Sequence, residues 1–283
     1  MYRLWLLAIG LLTCITQALA GADPSNLLAL HFFSKSPAQI VTAGMTLRQA
    51  EEVQDNYILR LMHRLGPVIG YKIGLSNPQM QQHFGIDHPV LGVLLRDMLM
   101  ESGATVSAQY GARPMAEADL IVRVGDKCIN WAADQTEALA CLDAVYPFIE
   151  LPDLMYDQKL VLNAAAVVAI NVGARRGVLG APIPLQADPA WQRRLGEFHL
   201  ELRDANHRPI SLGNGSALLG HPLQAVLWLR DALRARGQAL HKGQLLSLGA
   251  LTPLVPIKPG MTLHAHYTDL DPRGPVEVSV RFE

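Results

Sequence analysis

Half of this 283-residue chain is hydrophobic, 17% is charged and the formal net charge is −1. There is enough apolar side chain to bury a large core and no basic excess to neutralise phosphates, so the composition describes a globular protein and argues against a nucleic-acid binder. Neither repeats nor low-complexity tracts interrupt it.

The chain opens with Met1-Tyr2-Arg3, an apolar run from Leu4 to Ile15, and Ala18-Leu19-Ala20. This is a basic n-region, an h-region and an A-x-A site, so residues 1–20 are expected to be a signal peptide cleaved after Ala20, with the mature chain periplasmic or secreted. The run is shorter than the ~20 apolar residues a membrane span needs, and no later run reaches that length, so no stable membrane anchor is expected after cleavage. The mature chain keeps Cys128 and Cys141 as its cysteines. An oxidising compartment would let them form one disulfide, and two buried thiols remain the alternative.

Thr46-Leu47-Arg48-Gln49 has the form of a capping box, and Leu47, Ala50, Val53, Tyr57, Ile58, Leu61 and Leu65 follow at helical spacing up to Gly66-Pro67. Val68 to Gly74 reads as a strand, and Asn77-Pro78 opens a short helix that Gly85 closes. Short strands are predicted at Leu91–Leu94, Thr105–Ala108, Ala118–Val124, Phe148–Leu151, Ile170–Val172, Glu197–Arg203 and Pro209–Leu212. Helices are predicted near Thr136–Tyr146 and at Leu223–Arg236. Three further strands, Gln244–Gly249, Met261–Tyr267 and Val276–Phe282, are separated by Lys258-Pro259-Gly260 and Asp271-Pro272-Arg273-Gly274 turns. This pattern predicts a β-rich α+β fold with a rolled or barrel-like sheet.

Glu117 and Asp119, two apart on a predicted strand, project from one face. Two carboxylates so placed repel unless a cation lies between them, and a hard ion such as Mg²⁺ or Mn²⁺ suits oxygen ligands. An acidic i, i+2 pair is also ordinary on a solvent-facing strand, and spacing alone favours that reading. Glu150 adds weight to the metal, because it ends the apolar run Tyr146-Pro147-Phe148-Ile149, where a carboxylate needs a partner. Lys72, between Gly70 and Gly74, is a candidate for pairing an anionic substrate or transferring a proton, unless it only snorkels from a sheet edge. The glycine-rich Gly213–Pro222 loop, with Ser216 and Gly220, feeds a helix start where backbone N–H groups can hold an anion. It lacks a phosphate-loop lysine and a dinucleotide fingerprint. The ten histidines include no H-x-x-x-H or H-E-x-x-H pair of a zinc enzyme, and no G-x-S-x-G elbow is present.

Taken in order, Gly70-Tyr71-Lys72-Ile73-Gly74-Leu75-Ser76-Asn77-Pro78, Gly85-Ile86-Asp87-His88-Pro89, Glu117-x-Asp119, Glu150, Leu219-Gly220-His221-Pro222-Leu223 and Gly249-Ala250-Leu251-Thr252-Pro253 resemble the fumarylacetoacetate hydrolase superfamily. The branch they are most similar to is that of 2-keto-4-pentenoate hydratase and 4-oxalocrotonate decarboxylase, over roughly residues 46 to 283. The resemblance implies a mixed β-roll over residues 71–283 behind a small N-terminal α/β portion at 21–70. It also implies a Mg²⁺ or Mn²⁺ ion on Glu117, Asp119 and Glu150, and Lys72 beside a small 2-oxo or 2-hydroxydienoic acid. Gly74, Ser216, Gly220 and Thr252 are the other expected substrate contacts, and the resemblance implies a homo-oligomer. On this reading the protein is a metal-dependent lyase, a hydratase or related decarboxylase.

The sequence also departs from that pattern. Asp119 stands where the family has a second glutamate. Ile170-Asn171-Val172-Gly173 replaces an Asp-Asn-Ala-Ser stretch, and Val90 replaces an acidic residue of some hydratases. A noncatalytic exported binder of a small oxo-acid is therefore a second expectation. A C–C bond hydrolase using His83 or His88 as base is a third.

Overall fold

The computed structural model describes residues 23–39 and 44–283, so the leader expected at residues 1–20 lies outside the described residues. Helix α1 (Pro24–Ser34) begins at Asp23, whose carboxylate accepts from the Ser25 amide. Helix α2 (Leu47–Leu65) opens with the expected capping box, Gln49 N–H donating to Thr46 Oγ1 at 3.3 Å and Thr46 N–H to Gln49 Oε1 at 2.9 Å. Gly66 ends it. Strand β1 (Val68–Gly74), helix α3 (Pro78–Phe84) and strands β2 (Val90–Leu95), β3 (Leu99–Glu101) and β4 (Ala104–Val106) follow. The two long strands, β5 (Met115–Val124) and β6 (Leu142–Leu151), are joined through α4 (Gln135–Ala140). The remainder is α5 (Ala164–Ala169), β7 (Arg176–Leu179), β8 (Ile183–Pro184), α6 (Pro189–Glu197), β9 (His199–Arg203), β10 (Pro209–Asn214), α7 (Pro222–Ala235), β11 (Leu245–Ser247), β12 (Val255–Pro256), β13 (Thr262–Thr268) and β14 (Val276–Phe282).

Nine strands form one mixed sheet along the path β2-β1-β11-β5-β6-β7-β3, with β12 beside β5 and β8 beside β6. Five more form a second sheet in the order β10-β9-β13-β14-β4. Two strands lie between β1 and β6, so a flat sheet would hold them roughly 14 Å apart. Lys72 of β1 nevertheless makes an ion pair with Glu150 of β6, so the sheet curls over the face that bears them. On the opposite face Ala118, Leu120, Val122, Ile149 and Leu246 enter the main core, whereas Ile121, Ala144, Tyr146, Phe148 and Leu94 make a small separate cluster on the concave side. In the second sheet Leu263, Ala265 and Tyr267 of β13 are buried while the residues between them face outward. This is the α+β roll that the pattern of short strands predicts. The boundary expected between residues 70 and 71 falls inside β1, which pairs with both β2 and β11.

Two expected elements are replaced. The helix expected near Thr136–Tyr146 stops at Ala140, because the β-branched and aromatic residues that follow pair with β5 from Leu142 onward. Where a strand is expected at Ile170–Val172, the alanine-rich helix α5, capped by Asn163, has just ended at Ala169. Beyond it Asn171, Val172 and Gly173 have φ of 56°, 55° and 70° and reverse the chain. Asp23, Asn163 and Asp188 cap three helices absent from the expected set, two of them with proline at the first turn. Cys128 and Cys141 are joined by a disulfide, their Cα atoms 5.7 Å apart, closing the loop that carries α4. Among the described residues no helix is long and apolar enough to cross a membrane.

Candidate active site

Strand pairing assembles the site. Glu117 of β5 lies directly across from Glu150 of β6, and Asp119 across from Phe148. Lys72 of β1 is in register with Ser247 of β11, which is in register with Ile121 of β5. Side chains alternate along each strand, so Lys72, Ser247, Glu117, Asp119 and Glu150 all project from the concave face. Lys72, Asp119 and Glu150 are almost fully buried, and Glu117 is half-buried. A Cβ on Gly92 would lie 2.6 Å from Lys72 Cγ, so the glycine provides the groove in which the lysine stem lies.

The Lys72 ammonium donates to Glu150 Oε1 and, at 3.0 Å, to the Val172 carbonyl. Asp119 Oδ2 accepts from the Ser247 hydroxyl and Oδ1 from the Leu120 amide. Tyr267 reaches in from the second sheet, its hydroxyl 2.6 Å from the Asp119 carbonyl and 3.2 Å from the Phe148 amide, and so ties β5 to β6 where the carboxylates stand. Three carboxylates thus face one ammonium. Burial first, and then the charge of Glu150, pushes the acids of both Glu117 and Asp119 well above the ordinary carboxylate range. Glu117 lies directly across the ladder from Glu150, so protons held on the raised acids relieve the crowding of negative charge. A hard divalent cation is the species that would take the place of such protons, and an all-oxygen carboxylate set suits it. The residues present fit a metal through Glu117 and Glu150, while Asp119 is turned toward Ser247.

The other expected contacts divide. Thr252 is buried, and its Oγ1 accepts from the Ala118 amide at 3.0 Å, which fixes the strand between Glu117 and Asp119. Gly74 packs against Val172, beside Lys72 in sequence. Ser216 and Gly220 are exposed, and the Ser216 hydroxyl bonds its own neighbour Asn214 at 2.6 Å. His83 and His88 are exposed too, and His88 pairs with Asp87.

Two contributors have no counterpart among the expected residues. Ser247 is the polar residue inside Leu245-Leu246-Ser247-Leu248. Asn171, in the reversed turn, presents its side-chain amide to the free edge of β2 as a strand would, accepting from Val93 N–H at 2.7 Å and donating to Val93 C=O at 2.8 Å. Gln54 from α2 supports it, donating to the Leu91 carbonyl at 2.8 Å. The signal for both is the one that singles out Glu150: a polar side chain within an apolar run needs a buried partner.

No protein-family model matches the chain. It is 31% identical over 205 residues to a 2-keto-4-pentenoate hydratase of Paraburkholderia xenovorans strain LB400, covering 70% of this chain and 72% of that one. It is 28% identical over 238 residues to a 4-oxalocrotonate decarboxylase of Pseudomonas sp. strain CF600, covering 84% and 86%. A solved structure of 4-oxalocrotonate decarboxylase from Pseudomonas putida G7, complexed with magnesium and adipate, superposes with a TM-score of 0.76 at 26% identity over 90% of this chain and 96% of that one.

Proposed function

Because the chain belongs to the 2-keto-4-pentenoate hydratase and 4-oxalocrotonate decarboxylase branch of the fumarylacetoacetate hydrolase family, we propose that it is a divalent-metal-dependent lyase of the hydratase type acting on a small 2-oxo or 2-hydroxydienoic acid. The observation that carries this reading is the excess of carboxylate over cation on the concave face, where buried Asp119 and Glu150 and half-buried Glu117 surround Lys72. The relative from Pseudomonas putida G7 holds magnesium and a dicarboxylate, the kind of ion and ligand such a site would accept.

Glu117 and Glu150 would hold the ion, with Asp119 joining them once it leaves Ser247. When bound, the ion supplies a Lewis acid for the enolate-like charge of a ketonising dienol. Lys72 Nζ is the protein's own positive charge in the site and the group placed to bind the substrate carboxylate and to carry a proton to or from the dienol carbon. The Val172 carbonyl and Glu150 hold that ammonium in place. Phe148, two residues from Glu150 on the same face and only 1% exposed, sets an apolar wall beside that carboxylate.

Decarboxylation is the second reading, and one observation favours it. Where hydratases of the branch carry acids, this chain has Ile170 and Val90, both buried and apolar, which removes groups able to activate water. Loss of CO₂ needs only the electron sink and a proton for the resulting carbanion.

The experiment mixes purified protein with 2-keto-4-pentenoate in its dienol form, or with 4-oxalocrotonate, under saturating Mg²⁺ or Mn²⁺. Decay of the dienol ultraviolet absorbance without CO₂ release is expected for a hydratase, and CO₂ release for a decarboxylase. Absence of both with either ion would overturn the proposal.

A further inference from the structure

The outer face of the five-stranded sheet carries a second group of ligating side chains, away from the concave face of the larger sheet. His264 and His266, two apart on β13, face outward together, and Glu277 of β14 lies directly across from His266. Glu277 Oε1 is 2.8 Å from His264 Nδ1, and its Oε2 is 3.6 Å from His266 Nδ1, so one carboxylate bridges both imidazoles. His207 comes from the turn between β9 and β10 and packs its ring against that of His264, centroids 4.5 Å apart. The turn is braced. Asp204 Oδ1 accepts from the amides of Asn206 and Arg208 at 2.8 and 2.9 Å, and His207 itself sits at φ 58°. Ligand atoms of His207, His264 and Glu277 all lie within 4.8 Å of one another. The neighbouring cation, Arg203, is engaged by Glu201 at 2.8 Å.

We propose that His207, His264 and Glu277 bind a borderline divalent transition ion of the Zn²⁺ class, with His266 as a further donor or as the group that orients Glu277. Imidazole donors select such an ion over Mg²⁺, which prefers oxygen throughout. Tetrahedral coordination at Zn–N of about 2.1 Å sets donor atoms roughly 3.4 Å apart. The ligand atoms here, all within 4.8 Å of one another, would have to close to that spacing on binding. The consequence is structural: one ion would clamp the β9–β10 turn to β13 and β14. The inner face of β13 carries Tyr267, whose hydroxyl holds the carboxylate-bearing strands together. The sequence signal is H-x-H on a strand, which places two imidazoles on one face as H-x-x-x-H does on a helix.

The test is Zn²⁺ titration of the full chain without an affinity tag, in saturating Mg²⁺, with Co²⁺ substitution to read coordination by visible absorption. One Zn²⁺ equivalent is expected to weaken at least tenfold in His264→Ala, Glu277→Gln and His207→Ala. His88→Ala, an exposed histidine elsewhere, is expected to leave it unchanged. The thermal midpoint is expected to rise with Zn²⁺ in the wild type and to stay put in His264→Ala. His207 lies exposed in a turn, so His207→Ala reads the site without endangering the fold. Stoichiometry and affinity unchanged by His264→Ala and Glu277→Gln would overturn the proposal, as would the absence of any Zn²⁺ uptake.

Discussion

Two buried ion pairs lie three residues apart along the end of β6, and they behave differently. Side-chain exposure is 4% and 3% for Lys72 and Glu150, and 6% and 3% for Arg175 and Asp153, so burial does not distinguish them. Their surroundings do. Asp153 accepts from Arg175 at 3.0 Å and from the amides of Ala112 and Arg113 at 3.1 and 2.7 Å. Arg175 also donates to the Tyr110 and Phe32 carbonyls and stacks 4.0 Å over the Phe32 ring. That pair is one charge against one, with its hydrogen bonds satisfied by the chain itself. Lys72 instead confronts three carboxylates, two of them pushed toward protonation. A buried pair with balanced charge fastens the fold, and one with unbalanced charge awaits a ligand.

The comparison is sharpest when each cation is removed without loss of bulk. Lys72→Met is expected to lower turnover about 10²–10⁴-fold, the range for losing a positioned proton carrier, with a smaller effect on stability in saturating Mg²⁺ or Mn²⁺, where a bound ion would offset the charge of Glu150. Arg175→Met is expected to cost about 3–5 kcal/mol in urea unfolding, the penalty for stranding a buried charge, while the molecules that remain folded keep their turnover. Should Lys72→Met destabilise as much as Arg175→Met, the distinction between the two pairs fails.

A smaller effect per unit of pH follows from the raised acids. Glu117 and Asp119 hold protons in the metal-free folded state beyond the values of 4.5 and 3.8 at which they ordinarily titrate. The folded state therefore binds more protons than the unfolded state, and stability falls as pH rises. The contribution is complete below the unfolded values and is lost as pH climbs through the folded ones, by about 1.4 kcal/mol per pH unit for each retained proton. Denaturant midpoints measured from pH 4 upward are expected to slope downward without metal and to flatten with Mg²⁺ or Mn²⁺. A flat profile without metal would show that the carboxylates are already compensated.

Much of this was legible in the residues because the rules involved are local. The capping box at Thr46, the alternation that puts Glu117 and Asp119 on one face, and Glu150 at the end of an apolar run all depend on neighbours a few positions away. What sequence could not convey arises from strands far apart in the chain. Register alone sets Glu150 opposite Glu117 and brings Ser247 of β11 to Asp119. Only the curl of the sheet lets Lys72 reach across two strands. The segment Ile170–Val172 mimics a strand because two β-branched residues flank Asn171, yet the Asn171 side-chain amide closes the edge of β2 instead.

That reversed turn gives the last and smallest test. An added Cβ on Gly74 would sit 2.0 Å from Val172 Cγ1, so Val172 must move if Gly74 gains a side chain. Val172 is a β-branched residue at φ 55°, a conformation it holds only because its surroundings impose it. Its carbonyl is one of the two acceptors that fix the Lys72 ammonium. Gly74→Ala should therefore cost about 1–3 kcal/mol through overpacking and lower turnover only about tenfold, since Glu150 still holds the lysine. Glycine adopts left-handed backbone without strain, so adding Val172→Gly removes the clashing methyl while leaving the carbonyl where Lys72 needs it. Recovery of turnover in the double variant would place the coupling at Val172, and failure to recover would mean that Gly74 acts on Lys72 through the strand itself.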